Sequence, residues 1–315
     1  MNKLLKKVSV LLLFLVMSIG LVSCGNNNQK GVNDVNASAK SEMISYPIKI
    51  TDSFGKEITL EKEPQKVISV APNITEIIHK LGAEEKIAGR TDYCDYPEQV
   101  KNVESIGTVR KPDIEKIIGL EPDLVIASTH FDEENTAKLE EAGLKVIALY
   151  EENDVNGVYN MINILGTALN KQSESNEIVE EMKSSIDKVT EAVSGLEEPS
   201  VYYVVGYGEG GDFSAPANTF VGQLIKLAGG NNIVPESDNW SFSLEVLLEK
   251  DPDIIIVRSG EKENFISTEG YKELTAVKED RVYEIDNNLL DRQGYRNSEG
   301  VFKLAQIFHP EALKE

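Results

Sequence analysis

The strongest constraint on this chain is a repeat within it. Ile114-Glu115-Lys116-Ile117-Ile118, followed by Glu121-Pro122-Asp123-Leu124-Val125-Ile126, returns 130 residues later as Leu244-Glu245-Val246-Leu247-Leu248 and Asp251-Pro252-Asp253-Ile254-Ile255-Ile256. Each copy reads as a short helix bearing one glutamate, a Pro-Asp turn and a buried apolar strand, the helix-to-strand half of an α/β unit. Two related lobes follow, with a cleft between them and a matched glutamate on each.

Upstream the halves align again at an offset of 146, with Ile78, Leu81, Ile87 and Asp92 falling on Leu224, Leu227, Ile233 and Asp238. The segment from Lys66 to Val70 precedes the first copy as Val201 to Val205 precedes the second. Because the offset falls from 146 to 130, the first half carries 16 extra residues between about Tyr93 and Arg110. That insertion begins Tyr93-Cys94-Asp95-Tyr96-Pro97.

The first 23 residues join a basic start (Lys3, Lys6, Lys7) to an apolar run from Val8 to Val16 and end in Leu21-Val22-Ser23-Cys24-Gly25. This is the pattern of a bacterial secretory signal with a lipobox, too short for a comfortable membrane span, so removal of residues 1–23 and lipidation of Cys24 are expected. Residues 24–45 are poor in large apolar side chains and read as a disordered tether. Losing three lysines and no acids takes the net charge from −21 to −24. Such acidity excludes nucleic-acid binding, which needs a basic surface. With Cys24 lipidated, Cys94 has no intramolecular partner, so no disulfide framework exists.

The remaining chain suits two lobes. Residues 46–153 read as an N-terminal α/β lobe that opens on a hairpin from Ile48 to Leu60. Strands follow at Val67 to Val70, Leu124 to Ala127 and Val146 to Leu149, with helices at Thr75 to Leu81, Asp113 to Leu120 and Asn135 to Ala142. Residues 154–195 read as a helical linker. Val155, Val158, Ile162, Leu165 and Leu169 keep helical spacing, as do Ile178, Met182, Ile186, Val189 and Val193, but the phase breaks between Asn170 and Ser175. The second helix, of about 22 residues and about 33 Å, is long enough to bridge both lobes. Residues 196–315 form the C-terminal α/β lobe, ending in a helix from about Ser298 to Ile307.

Gly206-x-Gly208-x-x-Gly211 follows a strand, yet no helix starts at the glycines to face a pyrophosphate, so a nucleotide is not expected. Of the histidines, His79 and His309 read as structural or surface groups, while His130, just after a strand, is placed to donate a hydrogen bond or ligate iron in the cleft. No zinc or manganese ligand set is expected. No nucleophile elbow, His-Glu-x-x-His pair or Cys-x-x-Cys pair occurs, and nothing points to an enzyme or a catalytic residue. Tyr93, Tyr96, Phe131, Tyr207, Phe213, Trp240 and Phe242 fall in expected loops, where aromatic surfaces suit a large flat ligand. Arg292 and Arg296 are placed either to hold a ligand oxygen or to form ion pairs with the protein. Glu115 and Glu245, one at the tip of each lobe, suit paired basic pockets on a two-fold symmetric partner.

With these residues in hand, the chain resembles the cobalamin and iron-siderophore binding proteins of ABC importers, the helix-bridged class III periplasmic-binding-protein fold. The resemblance covers about residues 46 to 312. It rests on Lys66-Val67-Ile68-Ser69 with Thr75-Glu76, on Tyr93-Cys94-Asp95-Tyr96-Pro97, on Glu115 with Pro122-Asp123, on Leu227-Ala228-Gly229-Gly230-Asn231-Asn232-Ile233, on Ser243-Leu244-Glu245, and on Arg292 with Arg296.

The resemblance implies a monomeric lobe-helix-lobe receptor that closes only slightly, with no resident cofactor. Its ligand would lie between the lobes, and Glu115 and Glu245 would dock onto arginines of a dimeric permease served by an ATPase. The Tyr-x-Asp-Tyr-Pro loop is similar to the cobalamin branch, in which Tyr93 and Trp240 would line a corrinoid, with Tyr96, Arg292, Tyr207 and Phe242 beside them. The chain departs from that branch at Val109, where a tryptophan is expected, and at Asn288, where an aspartate is expected. A corrinoid is therefore the leading ligand, a ferric siderophore or haem the alternative, and a surface lipoprotein binding another macromolecule the third reading.

Overall fold

A computed structural model describes residues 45–150 and 152–313. The expected signal peptide, Cys24 and most of the tether lie outside the described residues. Within the described residues no helix is long and apolar enough to cross a membrane.

The first lobe opens on an antiparallel hairpin of β1 (Ile48–Thr51) and β2 (Glu57–Leu60). Then come β3 (Val67–Ser69), α1 (Pro72–Lys80), β4 (Ile87–Arg90), α2 (Ile114–Gly119), β5 (Leu124–Ser128), α3 (Glu133–Glu141) and β6 (Val146–Leu149). Helix α1 starts earlier than the periodicity predicts because Pro72, its φ already helical, takes the first turn. The sheet is wholly parallel in the order β4-β3-β5-β6. Covered on both faces, β5 and β6 are buried at every position, so their sequences are continuously apolar rather than alternating.

Two helices follow, α4 (Val155–Ala168) and α5 (Gln172–Val193). The phase break falls between them, and α5 has the 22 residues expected of the bridge. The second lobe contains β7 (Ser200–Gly206), β8 (Phe213–Ser214), α6 (Phe220–Leu227), β9 (Asn231–Asn232), α7 (Leu244–Lys250) and β10 (Ile254–Arg258). It finishes with α8 (Lys262–Ser267), α9 (Thr275–Lys278), β11 (Val282–Ile285), α10 (Asn288–Asp291) and α11 (Asn297–Phe308).

The parallel strands of the second sheet run β9-β7-β10-β11, with β8 antiparallel along the far end of β7. By position in each half this is the order of the first sheet, so the repeat is a repeat of topology. The Pro-Asp turn has a concrete task in both copies. Asp123 accepts from the backbone N–H groups of Gln65 and Lys66 at 2.9 and 3.1 Å, and Asp253 accepts from the Ser200 N–H at 2.9 Å. Each carboxylate thus ties the entry to its own strand to the entry of the neighbouring strand.

One apolar cluster runs through both lobes and the bridge, joining Val67 and Ile74 to Ile178, Met182, Ile186 and Val189, and these to Val201, Leu224 and Val301. The outer faces of the two sheets carry separate clusters, around Phe131 in the first lobe and around Tyr202 and Phe265 in the second. A close-packed core shared by both lobes resists large relative motion. The second lobe also needs Gly229 where it stands: φ is +80°, and a Cβ would lie 2.6 Å from Nε2 of buried His309, which contacts the Gly229 carbonyl at 3.0 Å.

Candidate functional site

In both sheets the order in which successive parallel strands are added reverses about the first strand, between β3 and β5 and between β7 and β10. In open α/β sheets ligands bind outside the carboxyl ends of strands at such switch points. Two cavities lie there. The larger, about 590 Å³, takes Val205 from the end of β7, Asn218 to Val221 from the start of α6, and Ser237, Asp238 and Trp240 from the loop before α7. The segment after β11 adds Leu290, Asp291 and Gln293, and the first lobe and linker add His130, Glu152 and Asn153. The smaller, about 210 Å³, is lined by Ala71 to Asn73 at the uncapped start of α1, by Val109, by Ser128 to His130 after β5, and by Asp291 to Gln293. His130, Asp291 and Gln293 belong to both, so the two cavities are chambers of one cleft.

Among the described residues, the larger chamber is lined by three carboxylates, Glu152, Asp238 and Asp291, and by no lysine or arginine. Asp291 is fixed by the Tyr203 hydroxyl at 2.8 Å and by Asn287 at 2.8 Å. Trp240, the one tryptophan of the chain, is exposed on the chamber wall. Gln293 is buried, and its amide closes a two-bond ring on the Glu152 backbone at 2.8 and 2.6 Å. Gln223 on α6 accepts from the Val155 N–H at 2.9 Å. The segment leaving the first lobe is thereby clamped to the second.

Arg292 and Arg296 are spent on the protein. Arg296 donates through Nε and Nη2 to both oxygens of Glu76, and Arg292 donates to Glu76 at 2.8 Å and Asp95 at 2.7 Å. Glu76 sits on α1 with its carboxylate almost wholly buried. This replaces the expectation that Arg292 offers a free guanidinium to ligand: a buried carboxylate of the opposite lobe already neutralises it. Arg296 also lies over the Tyr96 ring, 4.2 Å from its centroid, so Tyr96 belongs to the same junction. Glu76 was missed because nothing local reveals its partners, although a carboxylate among Ile74, Ile77 and Ile78 on an apolar helix face was the available signal.

The remaining aromatics divide. Phe242 is buried in the second lobe against Tyr202, with ring centroids 5.5 Å apart, and is a core residue rather than a wall of the cleft. Tyr207 packs edge-on against Phe265 and Tyr271 and hydrogen-bonds Glu261 at 2.8 Å, so it too is held inside that lobe, away from the chamber lining. Phe131 is fully buried, and Phe213 stands half-exposed on β8. Tyr93 is 58% exposed on the inserted loop and lines neither chamber. The loop is anchored by Cys94, fully buried within hydrogen-bond distance of Thr75 and Thr91. Burial pushes the Cys94 thiol up, despite hydrogen bonds from those threonines. The glycine-rich loop after β7 makes one 3-10 turn (Gly208–Gly210) and returns into β8 rather than into an α-helix, and Gly208 donates its N–H to the Tyr271 hydroxyl at 2.9 Å.

On the outer surface, Glu115 and Glu245 occupy the first turns of α2 and α7, capped by Asp113 and Ser243. Both are exposed, and among the described residues neither forms an ion pair. Three residues on, on the same helix face, Ile118 and Leu248 are each 37% exposed. Each lobe thus presents a free carboxylate beside an aliphatic side chain.

A family profile described as periplasmic binding protein matches residues 67–289. The uncharacterized ABC transporter substrate-binding lipoprotein YvrC of Bacillus subtilis (strain 168) is 30% identical over 98% of this chain and 99% of its own length. A cobalamin-binding protein of Halobacterium salinarum is 25% identical over 84% of this chain and 75% of its own. Among solved structures, the periplasmic heme-binding protein RhuT from Roseiflexus sp. RS-1 superposes with a TM-score of 0.70 at 24% identity, over 79% of this chain and 99% of that one.

Proposed function

The chain belongs to the periplasmic binding protein family and is an ABC transporter substrate-binding protein, not an enzyme, and from that premise we propose that its cargo is a corrinoid of the cobalamin type. The observation that carries this reading is the lining of the larger chamber. Asn153, Asn218 and Ser237 offer uncharged donors and acceptors, Trp240 and Leu290 offer flat apolar surface, and the fixed charges are all carboxylates. A corrinoid has a flat apolar ring edged with carboxamides around a cationic cobalt, and each feature finds its complement here. Haem carries two propionates and ferric citrate several carboxylates, which three unneutralised carboxylates would repel. The acidic lining also supports the cobalamin reading despite Val109 and Asn288.

In this reading the lobes 46–153 and 196–315 hold the corrinoid between them, joined by residues 154–195. A lipid on Cys24 anchors the monomer to the outer face of the cell membrane, and Glu115 and Glu245 dock onto a two-fold permease that its ATPase drives. Fluorescence of Trp240 reads out cargo directly. Titration with cyanocobalamin should quench it saturably, while haemin, ferric citrate and ferric siderophores should not. Saturation by an iron chelate without a response to any corrinoid overturns the assignment.

A further inference from the structure

We propose that His130 binds the cargo metal directly, as an axial ligand set where the two chambers of the cleft meet. This rests on the corrinoid reading above. His130 follows the carboxyl end of β5, at the switch point of the first sheet, and lines both chambers. It is exposed, and among the described residues its ring has no hydrogen-bond or ion-pair partner. His79 and His309, by contrast, line neither chamber, and His309 is taken by the Gly229 carbonyl.

The backbone at this position is held at a cost. His130 has φ +77°, a conformation that residues with a Cβ seldom adopt outside constrained sites. The next residue enforces it. Phe131 is fully buried, donates its N–H to the Ser128 carbonyl at 3.0 Å, and accepts the Tyr150 hydroxyl on its own carbonyl at 2.5 Å. A turn anchored this firmly on one side presents the imidazole toward the cleft.

One imidazole is too little for a bare ion, and among the described residues no three His, Cys, Asp or Glu side chains stand close enough together to hold one. A macrocycle changes that requirement, because it brings its own equatorial nitrogens and needs only an axial donor. Coordination forms one bond from an imidazole nitrogen to cobalt and breaks one from cobalt to an aquo ligand, which leaves as water. No electron moves, and the imidazole enters neutral. The neighbouring carboxylates of Glu152 and Asp291 favour a cationic metal centre at this place.

Diaquocobinamide, a corrinoid without a base of its own, is the probe. Bound to the full chain, its visible bands should move to those of the imidazole complex made in free solution. In His130→Asn, whose side chain tolerates positive φ, the bound probe should keep its aquo spectrum and bind about tenfold more weakly, with added imidazole restoring the shift. His130→Gly should behave alike. Binding by the unmodified chain with no spectral change, or a shift that persists in both variants, overturns the proposal and leaves the corrinoid reading intact. Failure of both cobinamide and cyanocobalamin to bind sinks that reading and this proposal together.

Discussion

Arg296 of the second lobe grips Glu76 of the first through two hydrogen bonds, Nε to Oε2 and Nη2 to Oε1, both 2.8 Å long and closed across 220 residues of chain. Arg292 binds the same carboxylate and continues to Asp95 on the inserted loop. The insertion that breaks the repeat thus contributes a fastening between lobes.

Removing one member of the clasp should be costly. Glu76→Gln removes the buried carboxylate shared by both guanidinium groups and leaves Arg292 with Asp95 and Arg296 with only the more distant Asp286, a loss of about 3 kcal/mol. For a chain of this size that lowers the thermal midpoint by roughly 5 °C. Glu76→Met combined with Arg296→Met should recover part of the loss, because an apolar pair leaves fewer buried groups unsatisfied. Calorimetry of both variants checks this; an unchanged midpoint in Glu76→Gln would show that the clasp carries no stability.

Docking should separate cleanly from binding. Glu115→Arg with Glu245→Arg should reduce uptake in reconstituted vesicles by about tenfold or more while Trp240 quenching by corrinoid is unaltered. Each single reversal should give a partial loss, since the two carboxylates sit at equivalent places on the lobes. Full uptake by the double variant would refute the docking role.

Acid should weaken the fold through the same residues that define the repeat. At Asp123, burial raises the carboxyl, but the Gln65 N–H and the Lys62 ammonium bring it below its ordinary range. The Ser200 hydroxyl and N–H hold Asp253 low, the Lys86 ammonium holds Glu63 low, and at Asp95 the Arg292 guanidinium overcomes the effect of burial. A depressed carboxyl binds fewer protons folded than unfolded. Its stabilisation is therefore present above about pH 4 and is lost as pH falls through the lower folded values. Burial moves Asp212 the other way and offsets part of this. Urea midpoints should drop between pH 5 and pH 3, and Asp123→Asn with Asp253→Asn should flatten that slope; an unaltered slope would assign it elsewhere.

Cys94 should be inert in the folded protein. Its thiol is buried and raised by burial, so the reactive thiolate is scarce and inaccessible. A chain carrying Cys24→Ser should release no chromophore from a disulfide reagent until denaturant is added, then react once per chain. Rapid reaction under native conditions would mean that the inserted loop opens readily.

Much of the architecture was legible in the sequence because its signals are local. The apolar run of β5 and β10, the Pro-Asp entry to each, and the spacing of Ile178, Met182, Ile186 and Val189 each report on neighbours within a few residues. Hence the repeat, the bridging helix and the surface position of Glu115 and Glu245 could be read directly. Aromatic roles were less legible: Trp240 lines the cleft, whereas Phe242, two residues on, turns into the core, and loop composition alone does not say which way a ring faces. Where charges meet depends instead on contacts across the folded chain. Arg292 read as a ligand contact because its partners, Glu76 and Asp95, lie 216 and 197 residues away. The same holds for the cleft, whose carboxylates come from three separate segments. Two matched lobes and a bridge are written into the linear chain, because hydrophobic periodicity is a property of short stretches. The lobes' fastening and the cleft's acidic lining were left to the folded chain, because electrostatic pairing acts through space.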